Sequence, residues 1–229
     1  MATTTGILLF DNAEELDFAG PWEVLTAAAM LERFEAEKER RVGRGESELA
    51  AASGALEASR DPATWASRVV TIAESARPQR CAKGMRVLPD HTFADAPALD
   101  VIVVPGGQGT RREVNNPALL DWLRKAGAQC RWVTSVCTGA LLLHEAGFAK
   151  GRRVTTHWSF VEALRQRGDV TVLENVRYVR DGNLVTAAGV SAGIDMALWL
   201  VGQLHDPAYA RRVQHYIEYH PAPPYPAEV

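Results

Sequence analysis

Short strand-like runs that stop abruptly at a glycine, a proline or a cysteine, separated by stretches of helix length, constrain this chain more than any other feature. Gly6-Ile7-Leu8-Leu9-Phe10 gives way to Asp11-Asn12, Val101–Val104 to Pro105-Gly106-Gly107, and Trp132–Val136 to Cys137-Thr138-Gly139. A continuous apolar run fits a strand covered on both faces. Further runs at 69–73, 86–88, 153–155, 170–173, 176–179 and 184–186 extend the pattern. Between them, helices are expected over 117–126, 140–146 with Gly147 as C-cap residue, 159–167, 192–204 and 207–219. Strands alternating with helices require right-handed crossovers, and so an α/β fold whose mostly parallel sheet carries helices on both faces. The first helix is expected to start near Gly20, with Pro21 in its first turn and Asp17 in the preceding loop, and to run to Phe34.

Residues 35–66 break the rhythm. Glu35 to Arg41 is almost wholly charged, and Gly43, Gly45 and Gly54 interrupt a stretch rich in Ala, Ser and Glu. This reads as an inserted, exposed excursion, helical in parts. With 229 residues, against roughly 150 per domain, the chain is read as one domain spanning 1–229 with that insertion. The Pro-rich tail Pro221-Ala222-Pro223-Pro224-Tyr225-Pro226 is expected to lie extended over the surface.

Several function classes are disfavoured. A formal charge of −3 offers no electrostatic footprint for nucleic acid or an anionic membrane. No apolar run approaches the roughly 18 residues of a membrane span, and the start has no signal-peptide pattern, so a cytoplasmic setting is expected. Cys81, Cys130 and Cys137 are too few for a disulfide scaffold, and neither the cysteines nor the histidines show metal-ligand spacing. No metal is therefore expected.

The chemistry points to Cys137. It stands at a strand-to-helix turn between small residues, the geometry that exposes a nucleophile above the carboxyl edge of a sheet. The N-terminus of the following helix would favour its thiolate, whereas the alternative is a small buried core residue. Gly189-Val190-Ser191-Ala192-Gly193 matches G-x-S-x-G literally, but glycines at such a turn also serve close packing. Pro105-Gly106-Gly107 ends a neighbouring strand, so the Gly107 amide, with that of Thr138, could stabilise developing negative charge. Asp17 follows the first strand closely and sits among Phe18, Ala19 and Trp22. Beside a thiolate and apolar surface its pKa should rise, suiting a proton carrier, while the alternative is a helix N-cap. His157 follows another strand and could approach the same edge.

These segments, in order, resemble the PfpI superfamily: Leu16-Asp17-Phe18-Ala19-Gly20-Pro21, Val104-Pro105-Gly106-Gly107, Ser135-Val136-Cys137-Thr138-Gly139, Thr155-Thr156-His157-Trp158 and Gly193-Ile194-Asp195. The resemblance covers 6–34 and 68–225, and implies a flavodoxin-like three-layer sandwich of the class I glutamine amidotransferase type. The Cys-Thr-Gly elbow, the Asp17 segment and the tail Ile217-Glu218-Tyr219-His220-Pro221-Ala222-Pro223-Pro224 look most like the isocyanide hydratase (isonitrile hydratase) family. That likeness implies cofactor-free hydration of a small isocyanide by a homodimer, with Cys137 as nucleophile and Asp17 as acid–base group. Protease and glyoxalase-like relatives carry Cys-His at the elbow, where this chain has Cys137-Thr138. AraC-type regulators add a helix-turn-helix region, for which no room is expected before Val229. A glyoxalase-like enzyme and a thiol redox sensor are the alternatives.

Overall fold

The computed structural model describes residues 2–220; the Pro-rich tail lies outside the described residues. Seven strands make the central sheet: β1 (Thr4–Leu8), β2 (Arg68–Ala73), β3 (His91–Thr92), β4 (Val101–Val104), β5 (Trp132–Val136), β6 (Tyr178–Asp181) and β7 (Leu184–Ala187). Their spatial order is β6-β7-β5-β4-β1-β2-β3. Every neighbouring pair is parallel except the β6–β7 hairpin. The expected mostly parallel sheet is what the chain builds. The central strands β4 and β5 are buried along their whole length, as their apolar runs require. The helices around the sheet supply the rest of the core, with Leu142, Leu143, Met196 and Leu200 fully buried against Ile7, Leu8 and Ile102.

Among the described residues eight α-helices accompany the strands: α1 (Glu15–Val42), α2 (Glu48–Ser59), α3 (Thr110–Glu113), α4 (Pro117–Gln129), α5 (Gly139–Glu145), α6 (Val161–Arg165), α7 (Ala192–Leu204) and α8 (Pro207–Tyr216). The first differs from expectation at both ends. It begins at Glu15, which places Asp17 in its first turn and Pro21 inside the helix. Proline has no N–H, so the helical bond to the Asp17 carbonyl is missing and that turn is loosened. At its other end α1 continues through the charged stretch to Val42. The buried Glu37 explains this: it is paired with Arg33, Arg40 and Arg41 three and four residues away.

Residues 43–47 then turn, and α2 packs back on α1 through buried Ala51 and Ala55. Leu49 and Leu56 remain exposed on its outer face. The segment is thus more regular than its glycines suggested. Near the sheet, α7 approaches α1 closely: a Cβ on Gly20 would meet Ile194 at 2.9 Å, and one on Gly193 would lie 3.3 Å from Pro21. The pair of glycines lets α1 settle against α7, with its first turn beside the carboxyl ends of β1 and β4, where Asp17 meets Gly106. Side chains that perform chemistry collect along that edge in folds of this type.

Candidate active site

Cys137 occupies a sharp turn between β5 and α5, at φ 57°. A non-glycine residue in the left-handed region stores strain and persists only where its surroundings enforce it. Here three contacts do so. The Cys137 N–H donates to the carbonyls of Ala187 (3.1 Å) and Ala188 (2.9 Å), just beyond β7. Its own carbonyl accepts from Thr156 Oγ1 at 2.8 Å. Gly139 lets the helix begin directly beneath β4, since a Cβ there would strike the Val104 carbonyl at 2.2 Å.

Asp17 is wholly buried beside this turn. Its Oδ2 accepts the Gly106 N–H at 2.8 Å, while Oδ1 has no hydrogen-bond partner. The helix cap is Glu14, with no side-chain cap bond, so the capping alternative for Asp17 fails. Burial pushes its carboxyl up to about 7, aided by the charge of Glu14 and opposed by the Gly106 amide, the Cys137 thiol and Lys83. Lys83 reaches this end of α1 by pairing with Glu14 and donating its N–H to Glu15 Oε1 at 2.7 Å.

The sulfur is not the stabilised thiolate that the helix N-terminus suggested. Burial, then the negative charge of Asp17, pushes the Cys137 thiol up to about 12, against the pull of the Thr138 amide and hydroxyl. One short helix of seven residues does not offset lost hydration and an adjacent carboxylate. What the fold creates instead is a buried carboxyl and thiol competing for one proton.

The other expected residues divide. The Thr138 amide is one of the groups that lower the Cys137 thiol against its burial. The Gly107 N–H, expected to be free for developing charge, donates instead to Thr138 Oγ1 at 3.0 Å. Gly107 adopts φ 114°, and a Cβ there would strike the Asn12 carbonyl at 2.4 Å, so its orientation is dictated by packing. His157 lies on the loop that carries Thr156, but its Nδ1 faces Ser159 Oγ at 2.7 Å, in a cap of the short turn Trp158–Phe160. No hydrogen bond joins it to Cys137 or Asp17 among the described residues. Ser191 accepts from Arg177, and among the described residues no histidine or carboxylate is hydrogen-bonded to it. Cys81 and Cys130 are buried thiols pushed up to about 11 and about 12. Among the described residues no group of three or more His, Cys, Asp or Glu is arranged to hold a metal, and no helix is long and apolar enough to cross a membrane.

Three residues escaped sequence reasoning. Gly106 holds the carboxyl, Thr156 holds the elbow carbonyl, and Thr110 Oγ1 donates to the Gly107 carbonyl at 2.8 Å. Gly106 and Thr156 lay within motifs already singled out, but nothing in the sequence marked Thr110.

Comparisons with known proteins align with this architecture. The DJ-1/PfpI family model matches residues 4–203. An isonitrile hydratase of Pseudomonas putida is 37% identical over 225 residues, 98% of this chain and 82% of that protein. The HTH-type transcriptional regulator CdhR of Pseudomonas aeruginosa is 33% identical over 136 residues, which is 59% of this chain and 40% of the regulator. Among solved structures, a THiJ/PfpI family protein from Pseudomonas syringae superposes with a TM-score of 0.77 at 28% identity, covering 98% of this chain and 78% of its own.

Proposed function

This chain belongs to the DJ-1/PfpI family, and on that premise we propose that it hydrates isocyanides to N-substituted formamides. The observation that carries the reading is the buried Asp17–Cys137 pair, in which a carboxyl held near neutrality adjoins a thiol that keeps its proton. The terminal carbon of an isocyanide, R–NC, accepts a nucleophile and a proton at the same atom. A site that delivers both from one pair suits it.

Ionised Asp17 takes the thiol proton as the sulfur attacks that carbon, and returns the proton to the same carbon. The S–H bond breaks, S–C and C–H bonds form, and a thioimidate R–N=CH–S–Cys137 results. Asp17 then removes a proton from water as the water oxygen adds to the thioimidate carbon, and passes that same proton to the nitrogen. Collapse expels the sulfur, which regains its proton, and R–NH–CHO leaves. Every proton is conserved, and water is the only other reactant. The unpartnered Oδ1 of Asp17 and the Thr138 N–H at the sulfur are the polar atoms available to guide these transfers. No cofactor is part of the reading; a homodimer in the cytoplasm is.

Two other activities fit the same residues less well. A glyoxalase-like reaction needs a histidine beside the thiol, and His157 is turned to Ser159. An oxidant sensor needs an acidic, accessible thiolate, and Cys137 has the opposite character. Incubation with cyclohexyl isocyanide, followed by NMR for the N-cyclohexylformamide product, tests the proposal. Product formation that depends on Cys137 supports it, and a folded native protein without turnover of several alkyl and aryl isocyanides defeats it.

A further inference from the structure

Two loops flank the Cys137 elbow, and contacts can be followed from one to the other. From the elbow, Thr138 Oγ1 accepts the Gly107 N–H at 3.0 Å. The Gly107 carbonyl accepts from Arg111 Nη1 at 2.8 Å. The Arg111 guanidinium lies over the Phe160 ring, 4.3 Å from its centroid. The Phe160 N–H donates to the His157 carbonyl at 2.8 Å, and the neighbouring Thr156 Oγ1 returns to the Cys137 carbonyl at 2.8 Å. The circuit closes on the residue where it began.

Its links are unequal. Thr138 and Thr156 are buried, so their bonds belong to the frame of the site. Arg111 is exposed and Phe160 half-buried, so their contact is the link on the solvent side. Arg112, Arg165, Arg167 and Arg177 pair with carboxylates, whereas Arg111, like Arg180 over Trp132, lies on an aromatic ring and donates to a backbone carbonyl. Arg111 spends its fork on a carbonyl and an aromatic face, an arrangement that a planar guanidinium makes and an ammonium does not reproduce. Cys137, on which the circuit closes, is itself only 7% exposed.

We propose that Arg111 is a specificity-determining residue: stacked on Phe160, it spans the mouth between the two loops and limits the bulk of the group that reaches the Cys137 sulfur. Under the hydration reading, on which this substrate assignment rests, it sets the upper size of the isocyanide N-substituent and favours small or slender ones. The bridge rests on one side-chain contact between separate loops, so it can part to admit a ligand without disturbing Asp17.

The test compares Arg111→Ala with the native chain, using two thiol reagents of different bulk. Alkylation of Cys137 by iodoacetamide and by N-(1-pyrenyl)maleimide is followed by peptide mass spectrometry, which separates it from Cys81 and Cys130. Opening the mouth should raise the pyrenyl-to-iodoacetamide rate ratio by about tenfold, the scale on which pocket contacts discriminate neighbouring sizes. The ratio of kcat/KM for cyclohexyl over methyl isocyanide should move the same way. Phe160→Leu removes the other half of the bridge and should reproduce the shift, which keeps the test available if Arg111→Ala folds poorly. An alkylation ratio within about twofold of native in a folded variant would overturn the proposal. A shifted alkylation ratio in a protein that turns over no isocyanide would remove the hydration reading and leave the gate standing.

Discussion

Replacing Asp17 by Asn separates stability from catalysis in opposite directions. The carboxyl is fully buried, and its pKa rises from an ordinary 3.8 to about 7. At about 1.4 kcal/mol per pKa unit, holding it ionised costs the folded state about 4 kcal/mol. The sign follows from proton counts. Between pH 3.8 and about 7 the folded chain keeps a proton that the unfolded chain has released, so stability falls as pH rises through that window. Above pH 7 the full cost is present, and below 3.8 it vanishes. Asparagine cannot ionise and so escapes it. Its amide oxygen can still accept from Gly106, but its NH2 takes the place of the unpartnered Oδ1, at a cost of roughly 2 kcal/mol. The net gain at pH 8 is about 2 kcal/mol, or roughly 4–8 °C in Tm for a chain of this length. That gain should shrink steadily as the pH is lowered from 8 to 5. Turnover should fall by about 10²–10⁴-fold, because an amide neither takes up nor releases a proton in this pH range. Thermal melts at pH 5, 6, 7 and 8, paired with isocyanide turnover, check both halves. A variant that melts below the native chain at pH 8, or shows the same difference at every pH, refutes the electrostatic argument; near-native turnover refutes the role of Asp17 as proton carrier.

Cys137→Ala should abolish turnover while remaining folded, whereas Ser191→Ala and Cys130→Ala should retain turnover if folded, all read by isocyanide consumption and circular dichroism. Gly106→Ala should lose both activity and stability, because a Cβ there meets the Thr138 nitrogen at 2.5 Å and the Cys137 Cβ at 2.8 Å; a folded, fully active variant would show that the loop yields. Brief trypsin digestion should cut first after Arg44, in the exposed turn between α1 and α2, rather than within either helix, as peptide mapping would show.

The site was legible where chemistry depends on chain direction, and obscure where it depends on surroundings. A cysteine between small residues at the end of a strand-like run can be placed at a turn from sequence alone, and Asp17 can be placed at the same edge by its distance from β1. The protonation of that pair cannot be read this way, because it follows from burial by residues far apart in sequence. Pro21 misled for a local reason. Proline is commonest in a first turn, but here it sits in the interior, where the one bond it deletes is to the Asp17 carbonyl. The charged stretch from Glu35 to Arg41 lacks an apolar stripe, and its helical character depends on Glu37 gathering three arginines. The Gly107 amide looked free because sequence does not reveal that the Thr138 hydroxyl turns back to meet it.

The length of α1 has a practical meaning. Its 28 residues form a rod of about 40 Å, with Asp17 near one end and the 43–47 turn beyond the other. Charges, loops or whole peptides spliced into that turn are therefore far from the carboxyl that Gly106 holds. It is the natural graft point for a fluorophore, an affinity tag or a tether to a surface. Over evolutionary time the same separation would let that end of the chain drift while the chemistry at the other stays constant.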